Sequence, residues 1–190
     1  MKSIVAVLDA CVLYPAPLRD FLMHLAVLDT FQAKWTEEIH TEWIRNVLKN
    51  RPDLKAEQLE RTKQLMNAHT RDAVVENYEH LIDSLELPDE NDRHVLAAAV
   101  HAQAALIVTF NLRDFPAGEL SRYTVEAIHP DEFIKRLIEN NADSVFLAAE
   151  RQWKSLKNPP KPLVEFLDIL ASNGLVETVK YLTSRFEQES

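Results

Sequence analysis

The chain has 190 residues, of which 46% are hydrophobic and 27% are charged, so it can bury the core of one compact domain. Its formal charge of -9 has the wrong sign for a protein that binds nucleic acid by bulk electrostatic attraction. The two glycines argue against the glycine-rich phosphate loops of nucleotide-binding proteins, and the single cysteine excludes an internal disulfide.

The protein is expected to be cytoplasmic. The apolar run that precedes Asp9 is short and is preceded by a charged residue, unlike the long apolar core of a secretion signal. No apolar stretch approaches the roughly 20 residues that are needed to span a bilayer, so no membrane partner is expected.

The first predicted element is a strand from Ile4 to Leu8, because five consecutive apolar residues are typical of a parallel sheet that is covered on both faces. Asp9 follows where this strand leaves the core. Ligands of parallel α/β sheets bind outside the carboxyl ends of the strands, which makes Asp9 a candidate active-site residue. The alternative is that Asp9 only caps the following helix.

Glu42 is the second candidate. In chain order the sequence next predicts a helix over 17–28, a strand over 31–35, a helix over 37–49, a polar helix over 53–72 and a short helix over 78–85. Thr36 is expected to cap the helix that contains Glu42, which places this carboxylate near the sheet edge. The alternative is an ordinary solvated glutamate.

Asp92 is the third candidate. Asp89 is a suitable N-cap, which places Asp92 in the first turn of an alanine-rich helix that can lie very close to a sheet. Asp92 then either points at the strand ends or only complements the helix dipole. His94 and His101 share a face of this helix without a third zinc ligand, so both are expected to be partly exposed structural residues.

More polar side chains follow the next predicted strand, over 106–110. Thr109, Asn111 and Asp114 lie at or just past its carboxyl end. The alternative for Asn111 and Asp114 is turn formation, which both residue types favour. A fourth strand over 123–128, nearer the sheet edge, completes an alternation of strands and helices that predicts a parallel, doubly wound α/β sheet.

The end of the chain is expected to be separate from the sheet. We predict one domain over residues 1–143 and a helical C-terminal extension over 144–190, which prolines and Asn173-Gly174 divide into three helices. The extension holds six basic and six acidic residues, so the acidic excess lies in the domain. The extension carries an apolar stripe formed by Phe166, Leu167, Leu170, Leu175, Val179 and Leu182. Three uses of this stripe stay open: docking on the domain, binding a partner and pairing two subunits.

Four of the candidates are carboxylates: Asp9, Glu42, Asp92 and Asp114. Acids that gather at one sheet edge cannot all stay ionised unless a cation neutralises them, so such a group implies a bound metal or raised pKa values. Oxygen ligands favour Mg²⁺ or Mn²⁺ over zinc. Such ions activate water and stabilise the leaving oxygen when a phosphodiester is hydrolysed.

These motifs resemble those of PIN-domain nucleases, and among them the VapC-type toxins of toxin–antitoxin pairs. The resemblance covers about residues 3–140 and rests on Val7-Leu8-Asp9-Ala10, Ile39-His40-Thr41-Glu42-Trp43, the stretch from Asn91 to Ala99 and the stretch from Ile107 to Pro116. Many relatives have Asp-Thr-Asn after the first strand, where this chain has Asp9-Ala10-Cys11. The extension is similar to the helical C-terminal region of some longer relatives.

The resemblance implies a sheet flanked by helices, endoribonuclease activity and an acidic site for Mg²⁺ or Mn²⁺. It matches the acidic positions of the family to Asp9, Glu42, Asp92 and Asp114, and the accessory polar positions to Thr109 and Asn111. It also implies RNA as the substrate, a cognate antitoxin that covers the site and, as in many relatives, a homodimer.

We therefore predict a metal-dependent ribonuclease. Asp9 and Asp92 are expected to be the primary metal ligands, while Glu42 and Asp114 complete the site or hold metal-bound waters. The attacking water is expected to lose its proton to this cluster.

Contacts to RNA are expected from Arg93 and Arg113, because the charge of the whole chain repels the substrate. Two alternatives stay open. One is a phosphohydrolase of the haloacid-dehalogenase type with Asp9 as its nucleophile, although Cys11 stands where that chemistry needs a second Asp. The other is a non-catalytic module that only binds partners.

Overall fold

The structure is a computed structural model and describes residues 4–189. Residues 1–3, which enter the argument against a secretion signal, lie outside the described residues. Within the described part of the chain, no helix is both long and apolar enough to cross a membrane.

Four parallel strands form the sheet of the described chain. They are β1 (Val5–Leu8), β2 (Gln32–Lys34), β3 (Leu106–Val108) and β4 (Glu126–Ile128). The spatial order is β2-β1-β3-β4, and every neighbouring pair is parallel. This arrangement confirms the predicted parallel α/β sheet and the edge position of its fourth strand. Strands β1 and β3 are central, so the side chains that follow them meet at the middle of one sheet edge.

The described residues also contain nine α-helices. They are α1 (Ala10–Leu13), α2 (Ala16–Val27), α3 (Glu37–Asn50), α4 (Ala56–His69), α5 (Arg93–His101), α6 (Ala117–Leu120), α7 (Pro130–Ser155), α8 (Leu163–Ser172) and α9 (Val176–Gln188). Short 3₁₀ helices occupy Glu79–Ser84, Glu90–Asp92, Leu112–Asp114 and Ser121–Tyr123. Helix α5 packs directly on β1 and β3, whereas α1 packs between α2 and α3.

Helix α3 begins where the sequence predicts it. The hydroxyl oxygen of Thr36 accepts a hydrogen bond from the Ile39 backbone N–H at 3.1 Å, so Thr36 is the N-cap. Trp43 is fully buried, and its Nε1 donates to Nδ1 of His40 at 2.9 Å. These contacts fix the rotation of α3 about its axis and leave Glu42 half-buried.

Two predicted elements start later than expected. Helix α4 begins at Ala56 rather than near residue 53, because both carboxylate oxygens of Asp53 bind the Arg51 guanidinium at 2.6 and 2.8 Å in a turn. Strand β4 begins at Glu126 rather than at Tyr123, because Thr124 adopts the left-handed conformation with φ of 59°.

Helix α7 joins the sheet to the C-terminal helices. It contains a kink at Asn141, whose backbone is extended and whose Oδ1 accepts from the Ser144 N–H at 3.1 Å. The boundary that we predict after residue 143 lies just beyond this kink, and the division into two domains stays a prediction. Helix α7 packs against both α2 and α9.

The apolar stripe of the C-terminal helices is docked on the rest of the chain. Phe166, Leu170, Leu175 and Leu182 are at most 1% exposed and belong to the same hydrophobic core as the sheet. The carboxylate of Asp131 caps α9: it accepts hydrogen bonds from the backbone N–H groups of Glu177 and Thr178 at 2.8 and 2.9 Å, and from the Thr178 hydroxyl at 2.7 Å. Of the three uses of the apolar stripe that the sequence leaves open, the structure thus shows docking on the rest of the chain.

Candidate active site

Asp9 lies at the carboxyl end of β1, where its backbone N–H still donates to the carbonyl of Val108 in β3 at 3.1 Å. Its side chain is 5% exposed. Oδ1 accepts from the Ala10 N–H at 2.7 Å, and Oδ2 accepts from the Thr109 hydroxyl at 2.7 Å. Asp9 therefore caps α1, as one of the two interpretations predicts, and its carboxylate is fixed at the sheet edge. Its active-site role stays a prediction.

Cys11 makes a contact that sequence analysis did not predict. Its sulfur lies 3.1 Å from Oδ2 of Asp9 and 3.3 Å from the Thr109 hydroxyl, and it accepts from the Phe110 N–H at 3.3 Å. Burial, followed by the charge of Asp9, raises the pKa of the thiol to about 12, so Cys11 is a neutral donor. The signal available in the sequence is the position of Cys11, two residues after Asp9 and therefore close to the end of β1.

Thr109 connects the two central strands. It is fully buried, and its hydroxyl donates to Asp9 while accepting from the Asn111 N–H at 2.9 Å. Asn111 itself is exposed, and its side chain forms no hydrogen bond within residues 4–189. Thr109 thus contacts the Asp9 carboxylate directly, whereas Asn111 binds Thr109 through its backbone N–H. The accessory roles of both residues stay predictions.

Asp92 directly precedes α5 and is partly buried. The pKa of this carboxyl is raised to about 7, mainly because burial disfavours its charged form. The further causes, in decreasing order, are the negative charges of Asp9, Asp89, Asp114 and Glu42. All three other predicted carboxylates therefore act electrostatically on Asp92, together with Asp89, which sequence analysis treated only as a cap.

Glu42 faces the same space from α3. Burial raises the pKa of its carboxyl, the charge of Asp9 raises it further, and the nearby Arg45 partly opposes this effect. Asp114 ends the 3₁₀ helix that follows β3 and is half-buried. Acids from distant parts of the sequence thus share one electrostatic environment at the carboxyl edge of the sheet.

The two predicted RNA contacts differ in their surroundings. Arg93 forms an ion pair with Glu90, with 3.0 Å between Nη2 and Oε1. Its Nε atom is buried and has no hydrogen-bond partner within residues 4–189. Arg113 is exposed and forms no ion pair with any acid in the described part of the chain. Of these two arginines, Arg113 is the one whose guanidinium forms no ion pair within residues 4–189.

The expectation of a partly exposed His94 is wrong. His94 is 5% exposed because the alanines that follow it let α5 lie directly against the sheet. Its Nδ1 is 3.7 Å from a carboxylate oxygen of Glu38, and its Nε2 is 3.9 Å from one of Glu42. His101 is exposed and packs edge-on against the ring of His80. His94 therefore belongs to the surroundings of the acids.

The carboxylates fit a hard divalent cation in their chemistry. They supply oxygen donors, and the pKa values of Glu42 and Asp92 are raised first by burial and then by the negative charge of Asp9. Their present positions do not form a coordination shell: among the described residues, no group of three or more His, Cys, Asp or Glu side chains could hold a metal ion.

Comparisons with known proteins give two family matches. The model of a family described as PIN domain matches residues 5–113, which are more than half of the chain. A second family model, described as VapC50 C-terminal domain, matches residues 130–184. This second match begins at the start of α7, ahead of the kink at Asn141.

One curated relative is VapC50 of Mycobacterium tuberculosis, whose name describes it provisionally as a ribonuclease. It is 56% identical over 43 residues, which are 23% of this chain and 25% of that protein. The match thus spans about a quarter of the relative's length. No solved structure matches the chain.

Proposed function

The chain belongs to the PIN-domain family, and from this we propose that it is a metal-dependent endoribonuclease and the toxin of a toxin–antitoxin pair. The observation that best supports the proposal is the pKa of about 7 at Asp92, which burial and the charges of neighbouring acids raise together. Buried carboxylates that repel one another are an arrangement that a bound divalent cation stabilises.

In this proposal Asp9 is the ligand with a fixed orientation, because Ala10, Thr109 and Cys11 all donate to its carboxylate. Groups that hydrogen-bond to a metal ligand in this way fix its orientation. Asp92 is the second ligand, and Glu42 and Asp114 complete the site. The attacking water is proposed to lose its proton to this group of carboxylates.

A bound Mg²⁺ or Mn²⁺ ion supplies charge neutralisation, water activation and stabilisation of the developing charge on the phosphate. The ribonuclease description in the name of the M. tuberculosis relative supports RNA as the substrate. The match to the VapC50 C-terminal domain supports the toxin assignment, which implies a cognate antitoxin. A homodimer is a further part of the proposal, based on the behaviour of the family.

The alternative of a haloacid-dehalogenase-type phosphohydrolase is not favoured, because the matching family is the PIN domain. That chemistry also needs a carboxylic acid two residues after the nucleophile. This chain has Cys11 there, and the pKa of its thiol is about 12.

The test is cleavage of a panel of defined RNAs in Mn²⁺, with and without EDTA, by the wild type and by Asp92→Asn. We expect cleavage only with metal. We also expect the variant to lose more than about a hundredfold in rate, since even groups that only hydrogen-bond to a metal ligand contribute about 10- to 100-fold.

Asp83→Asn is the matched control, because Asp83 is exposed and its side chain forms no hydrogen bond or ion pair with another described residue. This variant should cleave RNA like the wild type. Undiminished cleavage by Asp92→Asn, or cleavage that persists in EDTA, would contradict the proposed site. A melting temperature that Mn²⁺ leaves unchanged would instead favour the non-catalytic module.

A further inference from the structure

An acidic nuclease needs local positive charge to hold a phosphate backbone, and helix α3 supplies it next to the acids. Glu38, Glu42, Arg45 and Lys49 are spaced by four, three and four residues, so they form one stripe along the helix. The stripe is acidic in its first half, at the sheet edge, and basic in its second half. Glu42 therefore lies between the candidate site and two cations.

Arg45 and Lys49 are not used for internal contacts. Both are exposed, and neither forms an ion pair or a side-chain hydrogen bond within residues 4–189. In contrast, Lys63 binds Glu37 at 2.6 Å, and Arg136 binds Glu126 at 2.6 Å. The two cations on α3 are therefore available to an external anion.

Electrostatics and packing connect these cations to the candidate site. Arg45 is close enough to Glu42 to oppose the rise in the pKa of that carboxyl. With a rise of 1.5 Å per residue, Arg45 lies about 4.5 Å and Lys49 about 10.5 Å beyond Glu42 along the helix axis. Arg45 and Lys49 are therefore about 6 Å apart along the axis.

Helix α1 links the candidate site to the second half of α3. Its N-cap is Asp9, it packs against α3, and just past its end the Tyr14 hydroxyl accepts from Nδ2 of Asn50 at 3.2 Å. The segment from Asp9 to Tyr14 thus runs from a candidate carboxylate to the neighbour of Lys49.

We propose that Arg45 and Lys49 bind consecutive phosphates of the single-stranded RNA substrate and lead the strand along α3 into the acidic site. This inference rests on the proposed ribonuclease function and adds the path of the strand. It also explains how a chain with a net charge of -9 can hold RNA. Arg93 is less suited to this role, because Glu90 already neutralises it.

The test uses fluorescence anisotropy with a labelled 20-nucleotide single-stranded RNA of mixed sequence, in EDTA, over 25 to 200 mM salt. Each phosphate contact in a single strand contributes about 0.7 to the slope of log affinity against log salt. The double variant Arg45→Gln/Lys49→Gln should therefore lower the magnitude of the slope by about 1.4. It should also bind at least about tenfold more weakly at the lowest salt.

The matched control is Arg151→Gln/Lys157→Gln. Both residues are exposed, lack ion pairs to described acids and lie in the C-terminal helical region. This variant loses the same total charge, so a general charge effect would change its slope equally. Thermal unfolding of both variants checks that the fold is retained.

The kinetic expectation is that Lys49→Gln raises the KM for RNA cleavage in Mn²⁺ about tenfold and leaves kcat unchanged, because Lys49 is remote from the reacting phosphate. Equal salt slopes for the double variant and its control would overturn the inference, as would a wild-type slope near zero. If RNA is still cleaved in Mn²⁺, the proposed function stands while the strand path fails. Absence of cleavage by the wild type would refute the function itself.

Discussion

Replacement of Asp92 by Asn is expected to stabilise the metal-free protein at pH 8 while it abolishes activity. The pKa of Asp92 is about 7 in the folded protein, compared with about 3.9 for Asp in an unfolded chain. Between these values the folded state keeps a proton that the unfolded state releases. The free energy of unfolding therefore falls as pH rises from about 4 to about 7, and it stays low above pH 7.

The size of this effect follows from the pKa difference. At about 1.4 kcal/mol per pKa unit, the full shift corresponds to roughly 4 kcal/mol. Asp92 is only partly buried, so screening by solvent reduces the expected contribution to about 1–2 kcal/mol. For a chain of this length, that free energy corresponds to about 2–8 °C in Tm. Because Asn cannot ionise, the free energy of unfolding of the variant does not show this decrease as pH rises.

The assay is thermal unfolding by calorimetry from pH 4.5 to 8.5 in EDTA. The Tm of Asp92→Asn minus that of the wild type should grow between pH 4.5 and 7 and then level off, whereas Asp83→Asn should show no such trend. Added Mn²⁺ should raise the Tm of the wild type more than that of Asp92→Asn. A Tm difference that is independent of pH, or an Asn variant that is less stable at pH 8, would refute the reasoning.

Two further predictions concern the support of the site and the C-terminal helices. Thr109→Val removes the hydroxyl that donates to Asp9, so the rate of RNA cleavage should fall about 10- to 100-fold. Thr109→Ser retains a hydroxyl donor and should therefore retain the rate. Gly174→Ala should lower the free energy of unfolding in urea by about 1–3 kcal/mol, because φ is +88° and the new Cβ would lie 3.0 Å from Phe110 Cε1. Gly118→Ala, with no atom within 4 Å of the new Cβ, should instead leave the free energy of unfolding unchanged or raise it. A Gly118→Ala variant that is less stable than Gly174→Ala would contradict the argument.

The strands and the helix caps could be predicted because they depend on local patterns. The apolar runs before Asp9 and Thr109 are β1 and β3, and Thr36 caps α3 through its own hydroxyl. These features need only neighbouring residues and the burial that a parallel sheet imposes.

Contacts between distant segments could not be predicted in the same way. The Cys11 sulfur meets Thr109 only because β1 and β3 are neighbours, and the strand order is not encoded in any single segment. The helical face of His94 predicts partial exposure, yet tight docking of α5 buries this residue beside Glu38. Asp89 acts on Asp92 through a turn whose shape the sequence did not specify.

The capping of α9 by Asp131 has a consequence for limited proteolysis. Asp131 lies at the start of α7, before the kink, whereas the helix that it caps lies beyond the proline-rich connection over 157–162. A protease that cuts this connection would leave α9 attached by that cap and by the buried Leu182 and Phe186. In size-exclusion chromatography, the nicked chain is therefore expected to elute as a single species under native conditions. It should separate into two fragments only in denaturant.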